Sequence, residues 1–254
     1  MSARPPISVF LITLNEGDRL GRTLSAVRDW ADEIIVVDSG STDDTIAIAK
    51  AAGAKVFHHP FAGYGAQKRY AEDRCTHDWL LNIDADEVVQ PDLRDEIDAI
   101  LPDAKPALFR IRILNVYPGD SKPRPFADDY NVVRFYHKAA GRYRDHPLYD
   151  RVVGQQDAPE VQLNGPIYHY SFSSWGALVQ KIDPLTTFQV KAGKDKSQGL
   201  LRVRLITEMP MQFIKVWVFR RHIFGGWKGF AFSIIAAFGR WLRIAKMLAK
   251  ATDR

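Results

Sequence analysis

Three carboxylates crowd the run Leu80-Leu81-Asn82-Ile83-Asp84-Ala85-Asp86-Glu87, where an apolar segment ends in two aspartates one residue apart. In an extended chain, residues i and i+2 point to the same side, so Asp84 and Asp86 are expected to face one point. Two ionised carboxylates held together repel unless a cation lies between them. A hard divalent ion takes one or two carboxylates and completes its shell with water and phosphate oxygens. The spacing therefore points to a site for a metal and a diphosphate. An acidic strand end is also a common solvated turn, and this run alone does not decide between the two.

The elements that must position these residues alternate strand and helix. Ile7 to Thr13, Glu33 to Asp38, Lys55 to His58 and Asp78 to Ile83 read as strands. Between and after them, Arg19 to Trp30, Thr45 to Ala51, Gly65 to Cys75 and Pro91 to Ile100 have helical spacing, with Pro91 suited to a first turn. This order predicts an α/β fold, a mostly parallel sheet flanked by helices. Ligands of such sheets sit beyond the carboxyl ends of the strands. Those ends carry Thr13-Leu14-Asn15-Glu16, Asp38-Ser39-Gly40 and Asp84-Ala85-Asp86. Three polar clusters on one edge argue for a binding site more strongly than any one of them.

Further along, Ala107 to Asn115, Asn131 to His137 and Gly165 to Tyr170 read as strands, and Ser174 to Ala192 as one helix. The segment Tyr117 to Asp129 is a loop long enough to suggest function or mobility. Two helical stretches follow, Leu200 to His222 and Trp227 to Lys250, split by Gly225-Gly226. In the second, Phe230, Ile234, Phe238, Trp241, Ala245 and Leu248 share a face opposite Arg240, Arg243, Lys246 and Lys250, while Ile244 and Met247 break the pattern. The expected organisation is an α/β domain over residues 1–192 and a basic amphipathic helical region over 193–254.

The net charge of +5 conceals a division. From residue 200 onward, eleven Lys and Arg face only Glu208 and Asp253, a net +9 that leaves the preceding residues at −4. A basic, aromatic segment is suited to an anionic surface, either a membrane or a nucleic acid. Its longest charge-free run, Gly229 to Gly239, is too short to span a bilayer, so a helix lying in the headgroup plane is the expectation. The single cysteine, Cys75, excludes an internal disulfide framework, suits a reducing compartment and reads as a small helix residue. A secretory leader is not expected, since Ser8 to Leu14 is a short apolar stretch followed by an acidic segment.

Four segments in order carry a family resemblance: Ile7-Ser8-Val9-Phe10-Leu11-Ile12-Thr13-Leu14-Asn15-Glu16, Val36-Val37-Asp38-Ser39-Gly40-Ser41-Thr42-Asp43, Gly63-Tyr64-Gly65-Ala66-Gln67-Lys68 and Asp84-Ala85-Asp86-Glu87. Together they resemble the family 2 glycosyltransferases, inverting enzymes of the GT-A fold. The branch they look most like comprises bacterial sugar transferases of the lipopolysaccharide core, including the β-1,4-glucosyltransferases. The resemblance implies that Thr13, Asn15 and Glu16 line a nucleotide pocket and that Asp38 holds the base or ribose. It implies that Lys68 approaches the nucleotide or its phosphates. Asp84 and Asp86 match the family's Asp-x-Asp motif, whose second aspartate is usually the direct ligand of a divalent Mg or Mn ion.

Inversion requires a carboxylate opposite the leaving group to take the acceptor's proton. The stretch Asp145 to Val152 looks like the branch's segment ending in Val-His-Glu. Asp150 stands in place of the glutamate and Tyr149 in place of the histidine. Asp150 is thus the first candidate base and Asp145 the second. His169 matches a histidine that follows the last core strand and is a candidate third metal ligand or diphosphate contact, set against an ordinary core histidine. Arg134 and Lys181 read as solvated surface residues ahead of the alternative that they contact phosphates, and His58-His59 as structural.

The resemblance thus implies transfer of a hexose from a nucleotide-diphosphate donor, UDP-linked, to a glycolipid on the inner face of the cytoplasmic membrane. The basic helices would hold the protein there peripherally, and no nucleic-acid partner is expected. Two rivals remain. A nucleotidyltransferase would need a Gly-rich phosphate loop after the first strand, where the sequence is the acidic Asn15-Glu16-Gly17-Asp18. A non-catalytic membrane-binding protein of the same fold would tolerate loss of Asp84. An oxidoreductase is disfavoured because no G-x-G-x-x-G follows the first strand.

Overall fold

The protein is described here by a computed structural model covering residues 4–146, 150–193 and 196–252. The chain divides into two compact units, residues 1–115 with 129–171, and 116–128 with 172–254.

The first unit is built on a curled mixed sheet. Its opening half follows the sequence pattern closely: β1 (Ile7–Thr13), α1 (Gly17–Ser25), β2 (Glu33–Asp38), α2 (Thr45–Ala51), β3 (Lys55–His58), α3 (Tyr64–Arg74) and β4 (Trp79–Asn82). These are followed by β5 (Glu87–Val89), α4 (Pro91–Ile100), β6 (Leu108–Asn115), β7 (Asp129–His137), β8 (Gly141–Tyr143), β9 (Val152–Gly154), β10 (Glu160–Gln162) and β11 (Ile167–His169). The sheet order is β3-β2-β1-β4-β7-β6-β11-β5, with β10 also on β6 and β8-β9 forming a separate pair. β3, β2, β1 and β4 run parallel, whereas β7 is antiparallel to both β4 and β6.

Strand β1 shows why this half forms. A parallel strand buried on both faces needs a nearly continuous apolar run. Val9 and Leu11 point into the layer shared with Leu20 and Leu24 of α1, Ala49 of α2, and Leu93 and Ile97 of α4. Phe10, between them, points to the opposite layer with Ile35, Val37, Leu80, Ala71 of α3, and Tyr136 and Tyr143. The short β5 lies between the acidic turn and Pro91, and pairs antiparallel with β11 far from β4. Gly165 leads into β11 where a Cβ would meet the Leu93 backbone at 2.4 Å, so only glycine lets this connection cross α4.

Two expectations from periodicity shift. α1 ends at Ser25 rather than Trp30, with the Ser25 hydroxyl donating to the Arg22 carbonyl. The indole of Trp30 turns away to donate to Asp98 at 3.0 Å.

The second unit is helical: α5 (Trp175–Gln180), α6 (Ile182–Ala192), α7 (Gln198–Ile214) and α8 (Gly226–Thr252). A π-type turn spans Lys215–Phe219 and a 3-10 turn His222–Gly225. The helix expected over Ser174 to Ala192 is thus two helices. Pro184 has no N–H for the Gln180 carbonyl, which ends α5 there. The second stretch of this unit begins at Phe172, so the helices of residues 175–192 group with those after residue 193 rather than with the sheet. Its core is Val190, Leu201, Ile244 and Met247. Ile244 and Met247, which break the amphipathic pattern, are therefore the residues that pack, while Phe230, Ile234 and Phe238 stay exposed.

The long loop is held rather than free. The Tyr117 hydroxyl meets His222 Nδ1 at 2.6 Å and accepts from Arg124 Nε at 2.9 Å, and His222 Nε2 lies 2.8 Å from Asp128. The His222 ring stacks on Phe232 at 4.8 Å. A Cβ on Gly229 would overlap the His222 carbonyl at 1.8 Å, so glycine is required at this crossing.

Candidate active site

The carboxyl ends of β1 and β2 meet in register, with Thr13 opposite Asp38. Asp38 is only 1% exposed. Its Oδ1 accepts from the hydroxyls of Thr13 and Ser41, and its Oδ2 from the backbone N–H groups of Gly40 and Ser41 at 2.9 and 2.8 Å. Burial alone would push this carboxyl up, but those hydrogen bonds hold it below its ordinary value. Asp38 thus spends its acceptor capacity on the Ser39–Thr42 loop rather than presenting it to a ribose or base. Asn15 takes a left-handed backbone (φ 54°), which Asn tolerates better than most residues. From there its Oδ1 accepts from Thr42 N–H, and its own N–H donates to Ser41 Oγ, both at 2.8 Å. Glu16 precedes α1 and donates its N–H to Thr45 Oγ1 at 2.8 Å.

Asp84 and Asp86 do not lie on β4. The strand stops at Asn82, and a turn closed by Glu87 N–H donating to Asp84 C=O carries both aspartates. Strand alternation therefore does not apply, and the turn gives the two side chains different partners. Asp84 is held by two buried cations: Lys68 Nζ lies 2.9 Å from Oδ1 and Arg134 2.7 Å from Oδ2. Burial opposes its ionisation, but Arg134 and Lys68 together keep its carboxyl far below the carboxylate range. Asp86 instead meets Arg19 at 2.9 Å and His169 Nε2 at 3.3 Å. Arg19 also pairs with Glu16 and donates to the Ser171 carbonyl at 3.2 Å, joining the first strand's end to Asp86.

Around Asp84 lies a tight network of charge. Lys68 is 1% exposed and reaches Asp150 at 3.2 Å as well as Asp84. Burial would lower the Lys68 pKa, but the Asp84 carboxylate raises it, so the ammonium is kept charged. Arg134 also donates to Asn82 and to Glu87, the latter at 2.8 Å. Glu87 is fully buried and also accepts from Tyr130 OH at 3.1 Å and from the Asp84 N–H at 2.9 Å. Its carboxyl is raised by burial, against the pull of Arg134. Tyr143 donates to Asn82 at 2.7 Å.

A cavity of about 600 Å³ opens beside this network, lined in part by Asp84, Tyr130, Arg134, Tyr143 and Asp150. Of the two base candidates, Asp150 borders that cavity, while Asp145 is exposed beyond β8 and does not line it. Tyr149 lies outside the described residues. A cavity of this size, with a few convergent polar groups, is suited to a small-molecule substrate.

The donor set for a metal is narrower than the sequence implied. Both Asp84 oxygens already carry cation partners. Asp86 Oδ1 and His169 Nε2 converge at 3.3 Å, while His169 Nδ1 lies 3.2 Å from Asn115 Oδ1. A proton donated from Nδ1 to Asn115 leaves the Nε2 lone pair for a cation. Burial alone would lower the His169 pKa, but the facing Asp86 raises it. Among the described residues, no group of three or more His, Cys, Asp or Glu is arranged to hold a metal ion. The Asp86–His169 pair still fits an ion that takes its other ligands from water and a diphosphate.

The family model for glycosyl transferase family 2 matches residues 8–154, which carry β1, β2, the acidic turn and Asp150. The chain belongs to that family. The transferase is 41% identical to an uncharacterized glycosyltransferase of Rickettsia prowazekii over 95% of this chain and 86% of the relative. It is 26% identical to LpsC, a lipopolysaccharide core biosynthesis glycosyltransferase of Rhizobium meliloti, over 97% of this chain and 93% of that protein. A crystal structure of S. aureus TarS superposes with a TM-score of 0.50 and 12% identity, covering 98% of this chain and 91% of that one, which shows the shared fold.

Arg134 is the clearest departure from the sequence reading of the transferase. It is 5% exposed, bridging Asp84 and Glu87, rather than a solvated surface residue. Its position on β7 opposite β4 was the available signal, obscured because the β4–β7 pairing joins distant segments. Arg19 and Asn82 were also missed; Asn82 ends an otherwise apolar strand, and Arg19 follows Glu16 by one helical turn. Lys181 is exposed with its ammonium 5.3 Å from the Phe172 ring, as a surface residue should be. His59 stacks on Tyr70 at 4.0 Å and bonds Gln67 at 2.8 Å, a structural arrangement. The Cys75 thiol is buried, and burial pushes its pKa up, so it is not a reactive group.

Proposed function

We propose that the transferase moves a hexose from a nucleotide-diphosphate sugar, UDP-linked, to a glycolipid acceptor of the lipopolysaccharide-core type, with inversion. The observation that carries this reading is the placement of Asp84 and Asp150 on the wall of one cavity, both bound to the buried Lys68. The likeness to LpsC supports the acceptor class.

In this reading, Asp150 accepts the proton of the acceptor hydroxyl. Lys68 holds Asp150 and Asp84 at a fixed separation and contributes positive charge beside the donor's phosphates. Asp38, through its loop, shapes the nucleotide end of the site together with Thr13, Asn15 and Glu16. Asp86 and His169 would hold a divalent Mg or Mn ion, which supplies Lewis-acid neutralisation of the departing diphosphate. Arg134 keeps Asp84 ionised and fixed in place.

The transferase works peripherally on the inner face of the cytoplasmic membrane, where a glycolipid acceptor is presented. No helix among the described residues is long and apolar enough to cross a membrane, and the basic segment after residue 200 supplies the attraction to anionic lipid.

The test is a scan of nucleotide sugars for release of nucleoside diphosphate, with extracted core glycolipid as acceptor and with and without divalent ions. Acceptor-dependent release from a UDP-hexose, abolished by chelation, is the expected result. Acceptor-independent membrane binding with no release from any donor would overturn the reading.

A further inference from the structure

The membrane part of the proposed function leaves open which surface makes contact, and the amphipathic pattern of the sequence pointed to α8. The structure points elsewhere. On α7, Leu200, Val203, Ile206, Met211 and Ile214 are 50%, 61%, 79%, 66% and 50% exposed. At 3.6 residues per turn these five residues fall within an arc of about 140°. No charged residue of α7 lies inside that arc. Thr207, which does, donates its hydroxyl to the Val203 carbonyl at 3.2 Å and so presents little unmet polarity. Arg202 borders the arc on one side, and Arg204 and Lys215 border it on the other.

The opposite side of α7 is already used. Leu201 is 1% exposed, and Leu205 packs on the core of the helical unit. The exposed arc is therefore a second apolar face that nothing among the described residues covers. Exposed aliphatic side chains of this number cost free energy in water unless another medium takes them up.

We propose that the exposed face of α7 inserts into the headgroup region of an anionic bilayer, with the helix axis parallel to the membrane plane. Charge complementarity selects this occupant. The apolar strip has basic residues on both borders, where long cationic side chains reach outward to lipid phosphates while their stems lie along acyl chains. Residues from 200 onward carry a net +9. The 17 residues of α7 would lie along roughly 25 Å of the interface. At its far end Met211 and the exposed Phe219 help to wall a cavity of about 500 Å³ that Lys215 and Arg240 make basic. Glu208, the acidic group at that cavity, is already paired with Arg204 and Arg240. A lipid headgroup phosphate is thus met by cations rather than by a bare carboxylate.

The test is flotation of the full chain with vesicles of phosphatidylglycerol and phosphatidylethanolamine, and with vesicles of phosphatidylcholine alone. The wild type is expected to float with the anionic vesicles and to be released by salt. The double variant Val203→Glu/Ile206→Glu should lose partitioning about tenfold or more, because two apolar anchors become anions beside anionic lipid. The matched pair Ile234→Glu/Phe238→Glu on α8 should float as the wild type does. Unchanged melting temperature, and unchanged nucleoside diphosphate release toward a water-soluble acceptor, show that the α7 variant is folded and its chemistry intact. Flotation of the α7 variant at wild-type level, or equal loss from the α8 pair, overturns the proposal. So does a concentration-dependent dimer in sedimentation that the α7 variant abolishes, since a second copy of the chain would then own the face. Flotation is read without turnover, so its result stands apart from the outcome of the donor scan.

Discussion

The two units of the molecule treat charge and apolar surface in opposite ways. In the sheet unit, Lys68, Arg134 and Glu87 are buried charges, each meeting an opposite charge within 3.0 Å. In the helical unit, Arg202, Lys215, Arg220 and Arg240 lie at the surface and so do Ile206, Phe219 and Trp227, the last three at 79%, 77% and 68% exposure. Burying a charge costs several kcal/mol unless a partner compensates, so the sheet unit holds a few polar groups in one geometry. That is what a reaction between a bound donor and acceptor demands. Exposed apolar side chains serve no such geometry. They match a surface that need only be apolar at one depth and anionic at another. One unit is organised for position, the other for partition.

This contrast can be broken at its strongest point first. Asp150→Asn should lower turnover about 10²–10⁴-fold, the usual size of a general-base contribution, while calorimetry shows nucleoside diphosphate still binding. Unchanged turnover would move the base to Asp145 and detach the cavity from the chemistry. Arg134→Met leaves Asp84 without its closer partner and Glu87 without the cation at 2.8 Å. Equilibrium unfolding should then show a loss of about 3–5 kcal/mol, as for other broken buried pairs. A loss below about 1 kcal/mol would mean that water reaches both carboxylates, and that the sheet unit does not depend on buried pairing.

Asp38→Asn sharpens the comparison at the loop. The amide presents an NH₂ where a carboxylate oxygen accepted, so donors that shared Asp38 lose partners. A stability loss of about 1.5–3 kcal/mol is expected, with a raised KM for the sugar donor. An unchanged KM would separate the loop from nucleotide binding.

The pH limb comes next. Glu33 is buried, and burial would raise its carboxyl, but Lys55, Ser8 and Thr76 bring its pKa down to about 2. A depressed folded pKa adds stability above the unfolded value of 4.5, and that stability is lost as pH falls toward 2. Glu33→Gln should therefore cost most near neutrality, with the two unfolding curves converging in acid. A constant difference across that range would show that the hydrogen bonds, not the charge, matter. The smallest effect belongs to the helical unit: Ile234→Ser on the exposed side of α8 should change stability by less than about 0.5 kcal/mol. A larger loss would mean that α8 hides a packing contact there.

What was legible in the sequence follows from the range of the forces involved. The parallel half of the sheet is written locally. β1 and β2 have the expected limits because a strand buried on both faces must be continuously apolar and its polar ends stand out, while the edge strand β3 is a short apolar pair bounded by exposed Lys55 and His58. The Thr13, Asp38 and Asp84 clusters were likewise visible, since they interrupt those runs. Their partners were not. Whether Asp84 meets a metal or a lysine depends on α3, β7 and a turn closed by Glu87 N–H, contacts separated by up to tens of residues. The period-2 argument for Asp84 and Asp86 failed for a simple reason: it holds within a strand, and β4 had already ended.

The helical unit teaches the same limit. Periodicity found α7 and α8, and charge counting found their basic character. It read the apolar face of α8 as one stripe with Ile244 and Met247 outside the pattern, whereas those two form the core with Leu201, Leu248 of the stripe packs on them, and the Trp241 indole donates to the Leu205 carbonyl. A helix with apolar residues on two arcs does not announce which arc will be covered, because that depends on the neighbours it meets. By itself, the sequence of this protein determined its family, its parallel strands and the acidic and basic character of its two parts, since each is a local pattern of side chains. Only the tertiary structure decided which charges neutralise one another and which apolar faces remain uncovered, since both depend on distances between residues far apart in the chain.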